Sequence, residues 1–196
     1  MKNILIGFII VIGLLGYGHA QTSDQGKRSD EIVMRMRQID LLTQIIPLAL
    51  TKDQINQILP TIERARAKAK QIEKTEAETL LKLDGKISDA IKKAIEDSVA
   101  PPKELLDELA RTTAAMSMIR MAAVDDNIDA VMKVFNDVCN AGQKKAAANS
   151  LAPQLIDPSL KPDKMTQDDK IRFFIQNILL DGQSYEILVQ LAKHAS

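Results

Sequence analysis

Asp125, Asp126 and Asp129 stand together in the run DDNID, and helical spacing puts Asp125 and Asp129 on one face. Carboxylates so placed could hold a hard cation weakly, or simply face solvent. Transition metals ask for imidazole or thiolate. Beyond residue 20 the chain offers one of each, His194 near the C-terminus and Cys139. A single histidine leaves nothing for a nucleophile–base triad. Neither a glycine-rich phosphate loop nor a Cys-x-x-Cys pair occurs. No pair of carboxylates is set apart by its surroundings for acid–base work. These residues point away from catalysis, from a metal site and from a cofactor, and towards binding.

Cys139 has two readings. In an exported protein it could form an intermolecular disulfide. It could equally be a small buried apolar side chain, since free cysteine is among the most buried residue types.

The residues best suited to binding are long and adaptable. RARAKAK at 64–70 sets Arg64, Arg66, Lys68 and Lys70 among small alanines, and Arg35 and Arg37 add two cations further upstream. Met34, Met36, Met116, Met118 and Met121 are flexible and polarisable, which suits contacts with partners of many shapes. Each type also has a plainer use, the cations as a solvated helix face and the methionines as core. Met118 lies off the main apolar line. Arg35, Met36, Arg64, Arg66, Lys68, Lys70 and Met118 are the candidate binding residues.

The elements that must carry these residues are helical. Ala, Leu, Ile, Lys, Gln, Glu and Asp dominate, while Phe135, Phe173, Phe174 and Tyr185 are the only aromatics past residue 20. Lys2, the apolar run ILIGFIIVIGLL and the small residues of GHA at 18–20 have the form of an export signal, with Gln21 as the expected first mature residue. An uncleaved N-terminal anchor is the alternative; the run is short for a full span. Removing the signal leaves about 176 residues, the size of one domain, with a formal charge near −1. That balance argues against nucleic acid, whose binding domains are usually strongly basic. No membrane insertion is expected after signal removal, and the compartment is periplasmic or extracellular.

QTSDQGKR at 21–28 reads as irregular, with Ser29 or Asp30 capping a first helix. Ile32, Met36, Ile39, Leu42 and Ile46 recur along it at helical spacing. Pro47 ends or kinks it. Thr51 opens the next helix. Its hydroxyl can accept the N–H of Gln54, and the Gln54 side chain can reach back to the N–H of Thr51, a capping box. Leu50, one residue ahead, can staple onto Ile55. Pro60 should bend the helix. Ile62, Ala65, Ala69 and Ile72, then Leu80, Leu83, Ile87, Ile91 and Ile95, mark its apolar line, and Glu78–Lys82 and Asp89–Lys93 are oriented for ion pairing. APP at 100–102 forces a turn, with Pro102 suited to the first helical position. Leu105, Leu109, Met116, Ile119, Ala123, Ile128, Val131, Phe135 and Val138 mark the core side of a second long helix. Two long helices joined by a short turn must run antiparallel. LIDPSLKPD at 155–163 is a break. Thr166 with Asp169 can start another helix, DG at 181–182 turns, and SYEILVQLAKHA makes a last one.

The expected fold is all-α: an elongated bundle built on a long antiparallel hairpin, 52–99 against 102–138, with additional short C-terminal helices. The expected divisions are a signal peptide at 1–20, a disordered N-terminus at 21–28, a helical domain at 29–150 and a C-terminal helical extension at 151–196 packing on it. Such a hairpin leaves an apolar edge, so a homodimer is expected.

LTKDQ at 50–54, between an apolar helix and a long charged one, resembles the LTxxQ motif of the Spy/CpxP group of periplasmic proteins. A second copy would be CNAGQ at 139–143: Cys139 replaces Leu, Asn140 replaces Thr, and Gln143 is kept. Asparagine caps helices as well as threonine does. The resemblance covers roughly residues 30–150. It implies an elongated all-α protein, often an antiparallel dimer shaped like a shallow cradle, acting as an ATP-independent chaperone or an envelope stress sensor; some members bind metal. Leu50, Thr51, Gln54, Cys139, Asn140 and Gln143 are its motif residues here. Unfolded or envelope proteins would be the partners. A helical scaffold or adaptor with one specific partner is the competing expectation.

Overall fold

The computed structural model describes residues 24–194, and among them there are helices and no strand. The export signal at 1–20 lies outside the described residues. None of the described helices is long and apolar enough to cross a membrane.

Helix α1 spans Asp24–Ile45 and passes into a short 3-10 turn, Ile46–Leu48, at Pro47. It starts ahead of the expected Ser29 or Asp30 cap, so 24–28, expected to be irregular, are its first turns. Ala49 then takes a left-handed conformation, φ 46°. Helix α2, Lys52–Glu96, follows; its 45 residues extend about 68 Å at 1.5 Å per residue. Pro60 lies inside it without breaking it. Helix α3, Lys103–Val138, returns over 36 residues, about 54 Å. Pro102 is its N-cap, one position earlier than expected.

Three ion pairs fix the antiparallel register. Lys68 meets Asp126 near the base, Glu76 meets Arg120 midway, and Lys86 meets Glu108 near the tip. The expected ladder pairs Glu78–Lys82 and Asp89–Lys93 are not formed; each of these long side chains stays in solvent, where such a pair would add only a few tenths of a kcal/mol.

Helix α4, Ala141–Ser150, continues after α3, followed by a single turn, α5, at Pro153–Ile156. Thr166 and Asp169 form the expected capping box for α6, Gln167–Phe174. A π-helical turn, Ile175–Leu179, follows, and the Ser184 hydroxyl donates to the Ile178 carbonyl, which also accepts the Asp181 N–H. The chain closes with α7, Ser184–His194.

The core lies at the base of the hairpin, not along its length. Leu41, Ile45 and Leu48 from α1 and its 3-10 turn meet Ile55, Ile58 and Ile62 of α2 and Ile128, Val131 and Phe135 of α3. The C-terminal segment fills the centre of this cluster with Ile171, Phe174, Ile175, Ile178, Leu179 and Leu188. Phe135 and Phe174 pack at 6.4 Å between ring centroids, tilted by 48°. The helical part of this segment, 171–192, is thus part of the domain's interior rather than a cover laid over it.

Two expected apolar lines are corrected. Ile32, Met36, Ile39 and Ile46 recur at helical spacing along α1, yet all four are exposed, and the neighbouring Leu41, Ile45 and Leu48 are the buried set. Along the outer hairpin Leu83, Ala90, Leu105 and Ala123 make the seam, while Leu80, Ile91, Ile95 and Ile119 stand in solvent. Two helices in contact have one seam each, and among the described residues no further element covers the outer hairpin.

Candidate functional site

Where the two motif segments meet, the geometry is nearly symmetric. Thr51 Oγ1 accepts from the Gln54 N–H at 3.3 Å, and the Thr51 N–H donates to Gln54 Oε1 at 3.0 Å. Asn140 Oδ1 accepts from the Gln143 N–H at 3.0 Å, and the Asn140 N–H donates to Gln143 Oε1 at 2.9 Å. Both capping boxes are complete.

The same two glutamines then join the boxes. Gln54 Nε2 donates to Gln143 Oε1 at 2.9 Å, and Gln143 Nε2 returns a bond to Gln54 Oε1 at 2.9 Å. The second proton of Gln54 Nε2 goes to the Val138 carbonyl at 2.7 Å; that of Gln143 Nε2 goes to the Ala49 carbonyl at 3.3 Å. Ala49 and Val138 each stand two residues ahead of their caps, so the bonds map onto one another under a local two-fold rotation. Each amide uses two donors and two acceptor positions, its full capacity. Leu50 packs half-buried against the core beside Ile55, and Cys139, its counterpart, is buried. Burial lifts the Cys139 thiol to about 11, with Lys144 pulling the other way.

This arrangement is a structural lock. Glutamine amides neither ionise nor act as nucleophiles near neutral pH. Its effect is to fasten the start of α2 to the start of α4, and hence α1 and α3 to one another.

The candidate binding residues divide. Arg35, Met36, Lys70 and Met118 are exposed, Met36 at 64% and Met118 at 67%. Arg64 bends back to the Pro60 carbonyl and Thr61 Oγ1. Arg66 lies over the Tyr185 ring at 4.5 Å and bonds Glu186 at 2.8 Å, clamping α7 to α2. Lys68 is held by Asp126 at 2.8 Å. RARAKAK is therefore not a free cationic face: α7 takes Arg66, α3 takes Lys68, and Arg64 folds back onto its own helix. Arg37 likewise is tied to Asp181 at 2.9 Å and to the Asn177 carbonyl.

The acidic run is also divided. Asp126 and Asp129 take Lys68 and Arg172, and Asp125 forms no ion pair among the described residues. Among the described residues no group of three or more His, Cys, Asp or Glu is arranged around a common point. Sequence reasoning missed Glu76 and Arg120. Glu76 is 6% exposed in the middle of the hairpin, and its two carboxylate oxygens receive Nε, at 2.6 Å, and Nη2 of Arg120. The hydrogen bond to Glu76 holds the Arg120 guanidinium above its already high value. Glu76 sits on the seam between Ile72 and Leu83, so an acid at a core position was the available signal.

What remains uncovered is apolar. On α1, Ile32, Met36 and Ile39 share one open face, and Val33 and Met34 are exposed beside it. Near the hairpin tip a cleft of about 500 Å³ lies between the helices, lined by Ala90, Val99, Pro102 and Leu105 and bordered by Lys86 and Glu108. Comparison of the chain with protein-family models, with curated proteins and with solved structures finds no match.

Proposed function

We propose that the protein is an exported binding protein of the bacterial envelope, not an enzyme, and that it holds unfolded or partly folded proteins without ATP, as Spy/CpxP-like chaperones do. The observation that carries this is the open apolar stripe Ile32–Met36–Ile39 on α1, next to Arg35, which forms no ion pair among the described residues. Isolated exposed apolar residues are ordinary, but a contiguous row on one helix is a mark of an interaction surface. Methionine and isoleucine side by side adapt to many shapes, and Arg35 adds a charge for acidic segments. The two motif segments support the same reading, since both keep a capping residue and a glutamine at the expected spacing.

The test is suppression of aggregation of unrelated denatured proteins by the purified protein at near-stoichiometric ratio, with no nucleotide. Protection that falls several-fold in Met36→Asp/Ile39→Asp, with helicity unchanged, places the clients on α1. Failure to protect any client overturns the reading.

The hairpin tip favours a second reading. Its cleft and the nearby exposed Ile91, Ile95 and Leu106 lie far from the core, where they would suit one specific partner. An adaptor of that kind would bind its partner and leave denatured clients unprotected.

A further inference from the structure

The outer hairpin has two unlike sides. Arg120 is held first by its hydrogen bond to Glu76, and the charge of Glu73 adds to that hold. Glu73 and Arg120 therefore look out on the same side of the hairpin. On α2, Glu73, Leu80 and Ile87 follow one another at heptad steps, and Ile91 and Ile95 continue the row. On α3, Arg120, Thr113 and Leu106 do the same, with Leu109 between the last two. Lys86–Glu108, Asp89, Lys93 and Glu104 lie round the cleft on the opposite side.

The first side is apolar towards the tip. Leu80, Ile91, Ile95 and Leu106 are exposed by half or more, and Ile87 and Leu109 are half-buried between them. The register set by Glu76–Arg120 and Lys86–Glu108 puts Leu109 level with Ile87, and Leu106 between Ile87 and Ile91, so the two rows form one patch. Thr113 donates its hydroxyl to the Leu109 carbonyl at 2.9 Å, so its polar group is already satisfied. From Leu80 to Ile95 the patch runs about 22 Å, or about four turns of helix.

One charge stands within it. Asp84 lies on the α2 row between Leu80 and Ile87, exposed and in no ion pair among the described residues. The cations beside the patch are engaged elsewhere, Arg120 by Glu76 and Lys92 by Glu96. Lys103 lies about a quarter turn round α3 from the centre of the patch.

We propose that this patch is a docking groove for an amphipathic helix of a partner protein, one that carries a lysine or arginine in the middle of its apolar stripe to meet Asp84. Two antiparallel helices leave between them a groove that a third helix fills along its length. A helix without the cation would bury the Asp84 carboxylate unpaired, at high cost, so the single acid selects the partner. The same carboxylate disfavours a second copy of this chain, whose matching patch is acidic too, and an anionic lipid surface. The inference rests on the adaptor reading of the hairpin tip and not on client capture by α1.

Fluorescence anisotropy on the purified protein tests it. The probe is a fluorescein-labelled helical peptide of about 15 residues, the length that covers the patch. It has leucines at helical spacing, one lysine in the middle of the leucine face, and alanine and glutamine elsewhere. Two companion peptides carry leucine or glutamate in place of that lysine. The lysine peptide should bind about tenfold more tightly than the leucine peptide, and the glutamate peptide more weakly than either. Asp84→Lys should reverse the order of the lysine and glutamate peptides, whereas Asp107→Lys, on the far side of α3, should leave it as it is. Leu80→Gln with Ile91→Gln should weaken all three several-fold. Asp84→Asn keeps the shape and should erase the lysine preference; it decides the matter should Asp84→Lys lose helicity. Equal binding of the three peptides, no loss of preference in the Asp84 variants, or binding untouched by Leu80→Gln/Ile91→Gln would each overturn the proposal. So would a dimer that Leu80→Gln/Ile91→Gln dissociates, since the patch would then be occupied by the chain itself. Aggregation suppression decides the adaptor reading separately: a protein that leaves denatured clients unprotected and yet ignores the lysine peptide sinks this inference alone.

Discussion

The side-chain amides of Gln54 and Gln143 donate to each other, both at 2.9 Å, across the joint between two helix starts that are far apart in sequence. Each amide also closes its own cap and binds a carbonyl beside the other cap. Removing either one leaves the partner's donor and acceptor and a backbone carbonyl without bonds.

The two glutamines should therefore be coupled. Gln54→Ala and Gln143→Ala are each expected to cost about 2–3 kcal/mol, the range for buried polar groups left unpaired. The double variant should cost less than the sum by about 1 kcal/mol or more. A double-mutant cycle by urea unfolding measures this; simple additivity would mean the boxes act separately.

The caps themselves are weaker contributors. Thr51→Ala and Asn140→Ala should each lose about 1 kcal/mol, a typical cap value. Thermal or urea melts would show it. Changes under a few tenths would remove these residues from that role.

Ala49 holds a positive φ of 46° and is exposed. Left-handed backbone costs a residue with a Cβ roughly 1–2 kcal/mol, and glycine escapes that at some cost in unfolded-state entropy. Ala49→Gly should thus stabilise by about 0.5 kcal/mol while leaving the carbonyl in place for Gln143. A loss of 1 kcal/mol in the same melt would contradict this.

Glu76 is buried and Arg120 is its partner. Arg120→Ala strands the carboxylate and should cost about 2 kcal/mol, at the lower side of buried-pair losses because the arginine is partly in solvent. Glu76→Leu with Arg120→Leu should be near neutral, since both charges go together. Proteolysis around residues 70–120 would report the loosened hairpin in the single variant.

Cys139 gives a pH dependence. Its thiol is raised from an ordinary 9.0 to about 11 by burial. Below pH 9 it is protonated whether folded or unfolded and contributes no slope. Between 9 and 11 the unfolded chain releases a proton that the folded chain keeps, so stability falls as pH rises. Cys139→Ala should remove that part of the slope. Alkylation of the folded protein at pH 8 should be at least about a hundredfold slower than that of an ordinary thiol, because the thiolate fraction is that much smaller.

Helix existence and helix starts were legible because their causes are local. Thr51 with Gln54, Asn140 with Gln143 and Thr166 with Asp169 each close a box within four residues, and Pro47 and the APP turn stop what precedes them. The buried face was less legible. On α1 the line Ile32–Met36–Ile39 and the set Leu41–Ile45–Leu48 are both apolar, and only the approach of α2 and the C-terminal helices selects the second. RARAKAK reads as a solvated cationic row until α7 and α3 arrive to take Arg66 and Lys68.

By itself, then, the sequence determined an all-α chain, its three capping-box helix starts and its long hairpin, since propensity, capping and proline act over a few residues. Tertiary structure alone decided that the C-terminal segment forms the interior, that Gln54 and Gln143 lock together, and that α1 and the outer side of α3 stay apolar and open. Those outcomes depend on which surfaces meet, and residues some ninety positions apart carry no local record of their meeting.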